Sequence, residues 1–301
     1  MTDKSILLEI NEQNTVDNII YFIRNYILGL KKEGAVVGLS GGIDSCVTLK
    51  LCTEAVGKNN VTAVILPEKD SEFENIKDAV NFAKLLEVRI IYKKITLILW
   101  LLRVYDLYPF SFFFKRSIQK KFVIRERNKI SKRINKDIFI ANLEGGNDKS
   151  LNKGIAYYRI KHRIRSSILF YYSDLYNYLF VGTVNKTERL TGFFVKYGDS
   201  IADIMPLNSL YKTQVVSLAR FLNIGEKIIN KPPSPDLIPG IDDEDIIGLP
   251  YGKLDLILFG IEHNYTDSDI KKISSASVKQ IKDVKKMIEK SEYLRTWPIG
   301  L

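Results

Sequence analysis

The chain has 301 residues, 46% hydrophobic and 27% charged, with 16 Tyr and 15 Phe. That length and apolar content support a buried core and exclude disorder as the overall state. A net charge of +10 raises nucleic acid, a membrane surface or a phosphate-rich ligand as partner, while 2 Cys and 2 His exclude a disulfide framework and a Cys/His zinc site.

The opening MTDKSILLEI lacks a basic stretch followed by an apolar one, so no secretory signal is expected and a reducing, cytoplasmic setting is the default. Val16 to Leu30 predicts an amphipathic helix. Ala35 to Leu39 is a strand-like run, followed by SGGIDS and a helix from Cys46 to Val56 that Gly57 ends. Val61 to Leu66 predicts a second strand, Asn75 to Leu86 a helix, and Val88 to Tyr92 a third strand. This alternation with continuous apolar strands predicts an α/β fold, a parallel sheet flanked by helices on both faces.

A basic excursion follows at about 97–153. It opens with ITLILWLL (95–102), which Arg103 and Asp106 interrupt before any run reaches the ~18 apolar residues of a bilayer span. A core or subunit contact is expected there, with an in-plane membrane contact as the alternative. Residues 103–165 hold 17 Lys/Arg against 5 Asp/Glu, leaving the rest of the chain slightly acidic. The run 115–136 reads as a solvated basic helix, and a nucleic-acid or anionic-lipid face is the sharper reading.

Beyond it, Ala156 to Tyr178 predicts a long helix, Tyr178 to Gly182 a fourth strand, and Ala202 to Ile204 a short fifth. Thr213 to Leu222 predicts a helix, and the proline-rich run 231–240 a loop, followed by an acidic run and a basic helical tail. No repeat or long linker divides the chain, so a single domain over 1–301 is expected.

The chemistry starts at Gly38, Leu39, Ser40, Gly41, Gly42, Ile43, Asp44 and Ser45, between a strand and a helix. Glycines admit close backbone approach, and successive N–H groups at a helix start make an anion site. Ser40 and Ser45 add hydroxyl donors. Asp44 repels a bare phosphate and makes sense with Mg²⁺ between them. A capped structural turn is the simpler alternative, and the eight-residue P-loop is excluded because its Gly-Lys-Ser/Thr end is missing.

The loop resembles that of the N-type ATP pyrophosphatases, which have an adenine nucleotide alpha-hydrolase-like, Rossmann-like sheet. Further stretches narrow the resemblance: Gly182 to Glu188, Gly192 to Asp199, Ala202 to Ile204, Pro206-Leu207, Leu210 to Gln214, Lys231 to Ser234, Asp243-Glu244, and Arg163-Ile164-Arg165. Together they resemble the ammonia-dependent NAD synthetase family over about Val16–Thr96 and Ala156–Glu262. The resemblance implies ATP as co-substrate at the loop, Thr183, Lys212 and Ser234. It implies deamido-NAD at Arg163, Lys196 and Asp203, and Mg²⁺ at Asp44 and Glu188. Lys212 is expected to neutralise the charge on departing pyrophosphate, and Asp199 to hold metal or position ammonia. A homodimer is implied as well.

The implied reaction adenylates the nicotinate carboxylate and then lets ammonia displace AMP. Residue 2 is Thr, and both cysteines follow the loop, so no glutaminase nucleophile is expected and free ammonia or a separate partner protein supplies nitrogen. Three features depart from the family pattern: the excursion, Arg159-Ile160-Lys161 in place of an Asn-containing approach to the paired arginines, and a tail in which only Arg295 matches a His-Lys-Arg run. They keep open an amide synthetase acting on another carboxylate, of a sugar or nucleotide. A nucleic-acid-modifying pyrophosphatase is the reading that would use the basic segment; nucleic acid is not the expected partner, and no transmembrane segment is expected.

Overall fold

The computed structural model describes residues 6–108, 116–232 and 242–296. Among them, the apolar runs form one parallel sheet of β1 (Gly34–Gly38), β2 (Val61–Ile65), β3 (Arg89–Tyr92) and β4 (Tyr178–Val181), in the order β3-β2-β1-β4. Register pairs Ala35 with Val61, Val37 with Val181, and Ile65 with Tyr92. The central strands are buried on both faces, which is why their sequences are continuously apolar. β3 lies at an edge, and its Arg89 and Tyr92 are exposed.

Residues 202–204 make no full fifth strand. They contribute one parallel bridge, Ile204 with Val181. The Asp203 carboxylate accepts the Phe180 N–H at 2.8 Å, and Pro206, which has no N–H, follows two residues after the bridge.

The helices are α1 (Glu12–Gly29), α2 (Ile43–Val56), α3 (Phe73–Leu85), α4 (Thr96–Leu101) and the basic α5 (Arg116–Ile134). Next come α6 (Ile138–Glu144), α7 (Lys149–Tyr176), α8 (Lys186–Thr191), α9 (Lys212–Phe221) and α10 (Glu226–Ile229). The C-terminal set is α11 (Asp243–Ile247), α12 (Tyr251–Glu262), α13 (Asp267–Ser274), α14 (Val278–Lys290) and α15 (Glu292–Arg295).

Side-chain alternation along the strands divides the core. Ala35, Val37, Ala63 and Val181 pack with α1, α2, α3 and α9, whereas Val36, Val64 and Phe180 pack with α4 and α7. Leu49 and Leu51 of α2 are fully buried, and each such side chain contributes roughly 1.5–3 kcal/mol. A third apolar cluster, centred on Leu254, Ile257, Ile281 and Val284, lies among the C-terminal helices with α6 and α8.

α7 begins at Lys149 rather than near Ala156, because Asp148 caps it by accepting the Ser150 and Leu151 N–H groups at 3.0 and 2.9 Å. The end of the basic excursion is therefore the first turn of this helix. α5 turns Lys121, Arg125, Lys129 and Lys132 outward along one stripe. Its Arg133 pairs with Asp148, and Lys136 beyond it pairs with Glu144. α4 buries Leu99 but exposes Leu97, Trp100 and Leu101. No helix among the described residues is long and apolar enough to cross a membrane.

Candidate active site

At the C-terminal edge of the sheet, where ligands of parallel α/β folds sit, is a cleft of about 570 Å³. β1 runs into it through Ser40–Gly42. Gly41 has φ +84°, and a Cβ there would lie 2.2 Å from the Asn75 carbonyl of α3, so handedness and close approach both require glycine. The Ser40 and Ser45 hydroxyls are 3.1 Å apart, Gly42 N–H donates to Ser40 Oγ at 3.2 Å, and Ser45 Oγ donates to Gly42 O at 2.9 Å. Gly42 is the N-cap of α2 and supplies no side-chain cap. The start of that helix can therefore receive an anion.

Asp44, in the first turn of α2, faces Lys212, the first residue of α9. Lys212 is buried, and its ammonium bonds the Asp44 carboxylate and lies 3.9 Å from Glu188 Oε1. Asn185 joins the two acids. Its Nδ2 donates to Asp44 Oδ1 at 2.9 Å, while it forms a capping box with Glu188 at the start of α8. Thr187 accepts the Lys212 N–H at 2.9 Å and donates to buried Asp255 at 2.6 Å, which fixes α9 against α8 and α12.

Asp243 is the third carboxylate whose charge reaches Lys212. Burial pushes its pKa up to about 6, against the pull of Lys212. One of its oxygens accepts from the Tyr251 hydroxyl at 3.2 Å, and the other is buried without a partner. Burial and the neighbouring Asp44 push Glu188 well above the usual carboxylate range. Burial opposes the Lys212 charge, but Asp44, Glu188 and Asp243 together hold its pKa up. One ammonium thus answers three carboxylates.

The far side of the cleft is the turn 195–200 against α7. Asp199 Oδ1 accepts the Val195 N–H at 2.6 Å, and Asp199 Oδ2 lies 3.1 Å from His162 Nδ1. Ser166 Oγ donates to Gly198 O at 2.6 Å and fastens the same turn. Arg165 lines the cleft and donates to Leu66 O at 3.1 Å.

Behind this wall is a second buried lysine. Lys161 is 0% exposed and pairs with Glu68 at 2.9 Å and Asp70 at 2.6 Å. The Tyr105 hydroxyl donates to Glu68 at 2.8 Å, the Tyr157 hydroxyl donates to Asp70, and the Lys161 ammonium lies 4.0 Å from the Tyr157 ring centroid. The Asp70 carboxyl is desolvated, yet Lys161 and Tyr157 hold it below its usual value.

The residues expected at one site are therefore brought together in part. Gly38, Leu39, Ser40, Gly42, Ile43, Asp44, Ser45, Thr183, Glu188, Asp199 and Lys212 line the cleft, and Gly41 shapes its loop from behind. Arg163, Lys196 and Asp203 are not among its lining residues. Exposed Arg163 lies over the Lys196 carbonyl at 3.4 Å, Lys196 Nζ donates to Tyr293 O at 2.6 Å, and Asp203 holds β4. Ser234 lies outside the described residues. Arg295 is occupied inside its own chain by Leu190 O, Ile288 O and Ser291 Oγ, at 2.9, 2.9 and 2.6 Å. Cys46 and Cys52 are buried core residues whose thiols burial pushes up to about 12. Asn185 and Asp243 fell within stretches that carry the resemblance but were assigned no role, and His162 was missed. Only Asn185 carried a local signal, its Asn-x-x-Glu capping box.

The sequence profile of NAD synthase matches residues 15–106 and 115–298. The chain belongs to the NAD synthase family. The match runs through the basic helix α5, so the family pattern covers more of the excursion than the motifs alone indicated. The NH₃-dependent NAD⁺ synthetase of Thermotoga neapolitana is 45% identical over 284 residues, 94% of each chain. The solved NH₃-dependent NAD synthetase of Campylobacter jejuni, in complex with a nitrate ion, has TM-score 0.67 and 26% identity, covering 97% of this chain and 100% of that one. The NMN synthetase of Francisella tularensis has TM-score 0.71 at 23% identity over 97% of this chain and 99% of that one, which shows a shared fold.

Proposed function

We propose that this chain amidates deamido-NAD to NAD with ATP and ammonia. The observation that carries the reading is the uncapped helix start beside a buried lysine that faces three carboxylates, in a chain of this family. The loop N–H groups and the Ser40 and Ser45 hydroxyls bind ATP phosphates, with Thr183 and Ser234 completing the nucleotide contacts. The nicotinate carboxylate attacks the α-phosphorus, pyrophosphate leaves, and Lys212 offsets the charge that gathers on it. Ammonia then attacks the acyl carbon and AMP departs. No covalent bond to the protein forms, so the side chains act by positioning and charge. Arg163, Lys196 and Asp203 are assigned to deamido-NAD.

Mg²⁺ fits the donor set. Asp44 and Glu188 offer hard oxygens, and these two half-buried carboxylates with buried Asp243 outnumber the ammonium. Asp44 and Glu188 are the side chains that would hold the ion beside the ATP phosphates. When bound, Mg²⁺ supplies charge neutralisation to the phosphates.

We infer a cytoplasmic homodimer acting as one domain, with free ammonia or a separate protein as nitrogen source. The exposed Leu97, Trp100 and Leu101 of α4 support a subunit contact. A Trp100→Glu/Leu101→Glu double variant is expected to run as a monomer in light scattering. Wild type already monomeric would remove the dimer.

The deciding experiment supplies purified chain with ATP, Mg²⁺, ammonium and deamido-NAD and measures NAD, AMP and pyrophosphate. Absence of AMP with deamido-NAD would end the main reading. The internal engagement of Arg295 favours a second one, in which another nucleotide or sugar carboxylate is amidated. Nicotinate mononucleotide and sugar acids are therefore run in parallel.

A further inference from the structure

His162 is not explained by any assignment above. It sits on α7 between Lys161 and Arg163, and it lines the cleft. Its Nδ1 meets Asp199 Oδ2 at 3.1 Å. A carboxylate only accepts, so Nδ1 carries the hydrogen, and in the neutral ring Nε2 is left as an acceptor. Nε2 is buried and has no hydrogen-bond partner in the structure. A buried acceptor left without a donor is unfavourable unless a small polar molecule satisfies it.

The surroundings hold the imidazole in place. Asp199 is anchored by Val195 N–H, Ser166 fastens the turn at Gly198, and the Tyr158 ring packs at 4.8 Å from the imidazole. A Cβ on Gly198 would come 2.8 Å from His162 Cβ, so the turn approaches the helix too closely for any other residue. This is more fixation than an exposed helix residue needs, and it ends in one unsatisfied acceptor.

We propose that His162 Nε2 receives ammonia in the second half-reaction and accepts the proton that the attacking nitrogen loses. This deepens the proposed amidation and rests on it. The nitrogen lone pair forms the C–N bond to the acyl carbon and becomes a cationic adduct. Nε2 takes one of its protons, the bond from the acyl carbon to the AMP oxygen breaks, and AMP leaves with that electron pair. Asp199 stabilises the imidazolium through Nδ1, which joins Asp199 to the ammonia end of the cleft and leaves Asp44 and Glu188 at the phosphate end.

The test separates the half-reactions. His162→Asn keeps an amide N–H for Asp199 and deletes Nε2; His162→Ala removes both. Deamido-NAD-dependent exchange of labelled pyrophosphate into ATP reports adenylation and serves as the folding control. Both variants are expected to exchange within about twofold of wild type while amidation kcat falls on the order of 100-fold. The deficit is expected to shrink when hydroxylamine replaces ammonium, because its adduct sheds a proton more readily. Amidation by His162→Asn at the wild-type rate would overturn the proposal and leave the histidine a clamp. A parallel fall of exchange and amidation in both variants would overturn it too. Wild type without deamido-NAD-dependent exchange would instead remove the substrate reading, and the histidine's role with it.

Discussion

Two buried lysines, both among carboxylates, differ in how completely they are answered. Lys161 pairs with Glu68 and Asp70, and tyrosine hydroxyls bond the same two acids. Lys69 adds a second cation over Tyr105. The centre is closed and balanced. Lys212 faces Asp44, Glu188 and Asp243, the acids outnumber it, and one carboxylate oxygen has no partner. Burial thus serves two ends in one fold. A satisfied ionic cluster fixes the wall of the cleft, and an over-acidic one leaves charge for a ligand to complete.

The largest expected effect breaks the closed centre. Lys161→Met strands two buried acids and is expected to destabilise the fold by about 3–5 kcal/mol, with a fall in thermal midpoint on the order of 10 °C. An unchanged melting curve would show that this centre is no more structural than the other. Lys212→Met is expected to lower turnover by about 10²–10³ with a much smaller change in melting, since the freed acids open onto the cleft. A melting shift as large as that of Lys161→Met would erase the distinction.

Asp243 makes the Lys212 centre sensitive to pH. The fold raises its pKa from 3.8 to about 6, so the folded chain holds this proton more tightly than the unfolded chain. That stability is complete below pH 3.8 and is lost as pH rises through about 6, a change of about 2–3 kcal/mol. In metal-free buffer, Asp243→Asn is expected to flatten the midpoint-against-pH curve over that window. A slope equal to wild type would assign the loss to other groups. The smallest effect belongs to the basic stripe. Lys121→Ala with Lys132→Ala is expected to change stability by less than about 0.5 kcal/mol, with turnover within twofold. A large loss of turnover would bring α5 into the site.

Local features were legible in the sequence. The strand–loop–helix of Gly38 to Ser45 needs only neighbours, and the continuous apolar strands needed only their burial. Partners distant in the chain were not legible. Lys161 reads only as part of a departure from the family pattern, because its partners Glu68 and Asp70 lie 93 and 91 residues away. Arg295 reads as a survivor of a substrate motif, yet it is spent on carbonyls about 105 residues upstream and on its own turn. Asp148 is an N-cap that was readable, and with it the true start of α7. Most of the net charge belongs to helices outside the cleft, so composition drew attention away from the chemistry.

The reach between Asp44 and Lys212 also bears on how the protein is made. They are 168 residues apart in the chain. At about 5–20 residues per second, synthesis delivers the lysine roughly 8–34 s after the aspartate. The loop that carries Asp44 therefore leaves the ribosome well before its countercharge exists, and closing so long a span makes the cleft a late event in folding. A nascent chain halted before Lys212 would carry the loop without the ammonium that pairs Asp44, so the cleft stays unassembled until most of the polypeptide has been built.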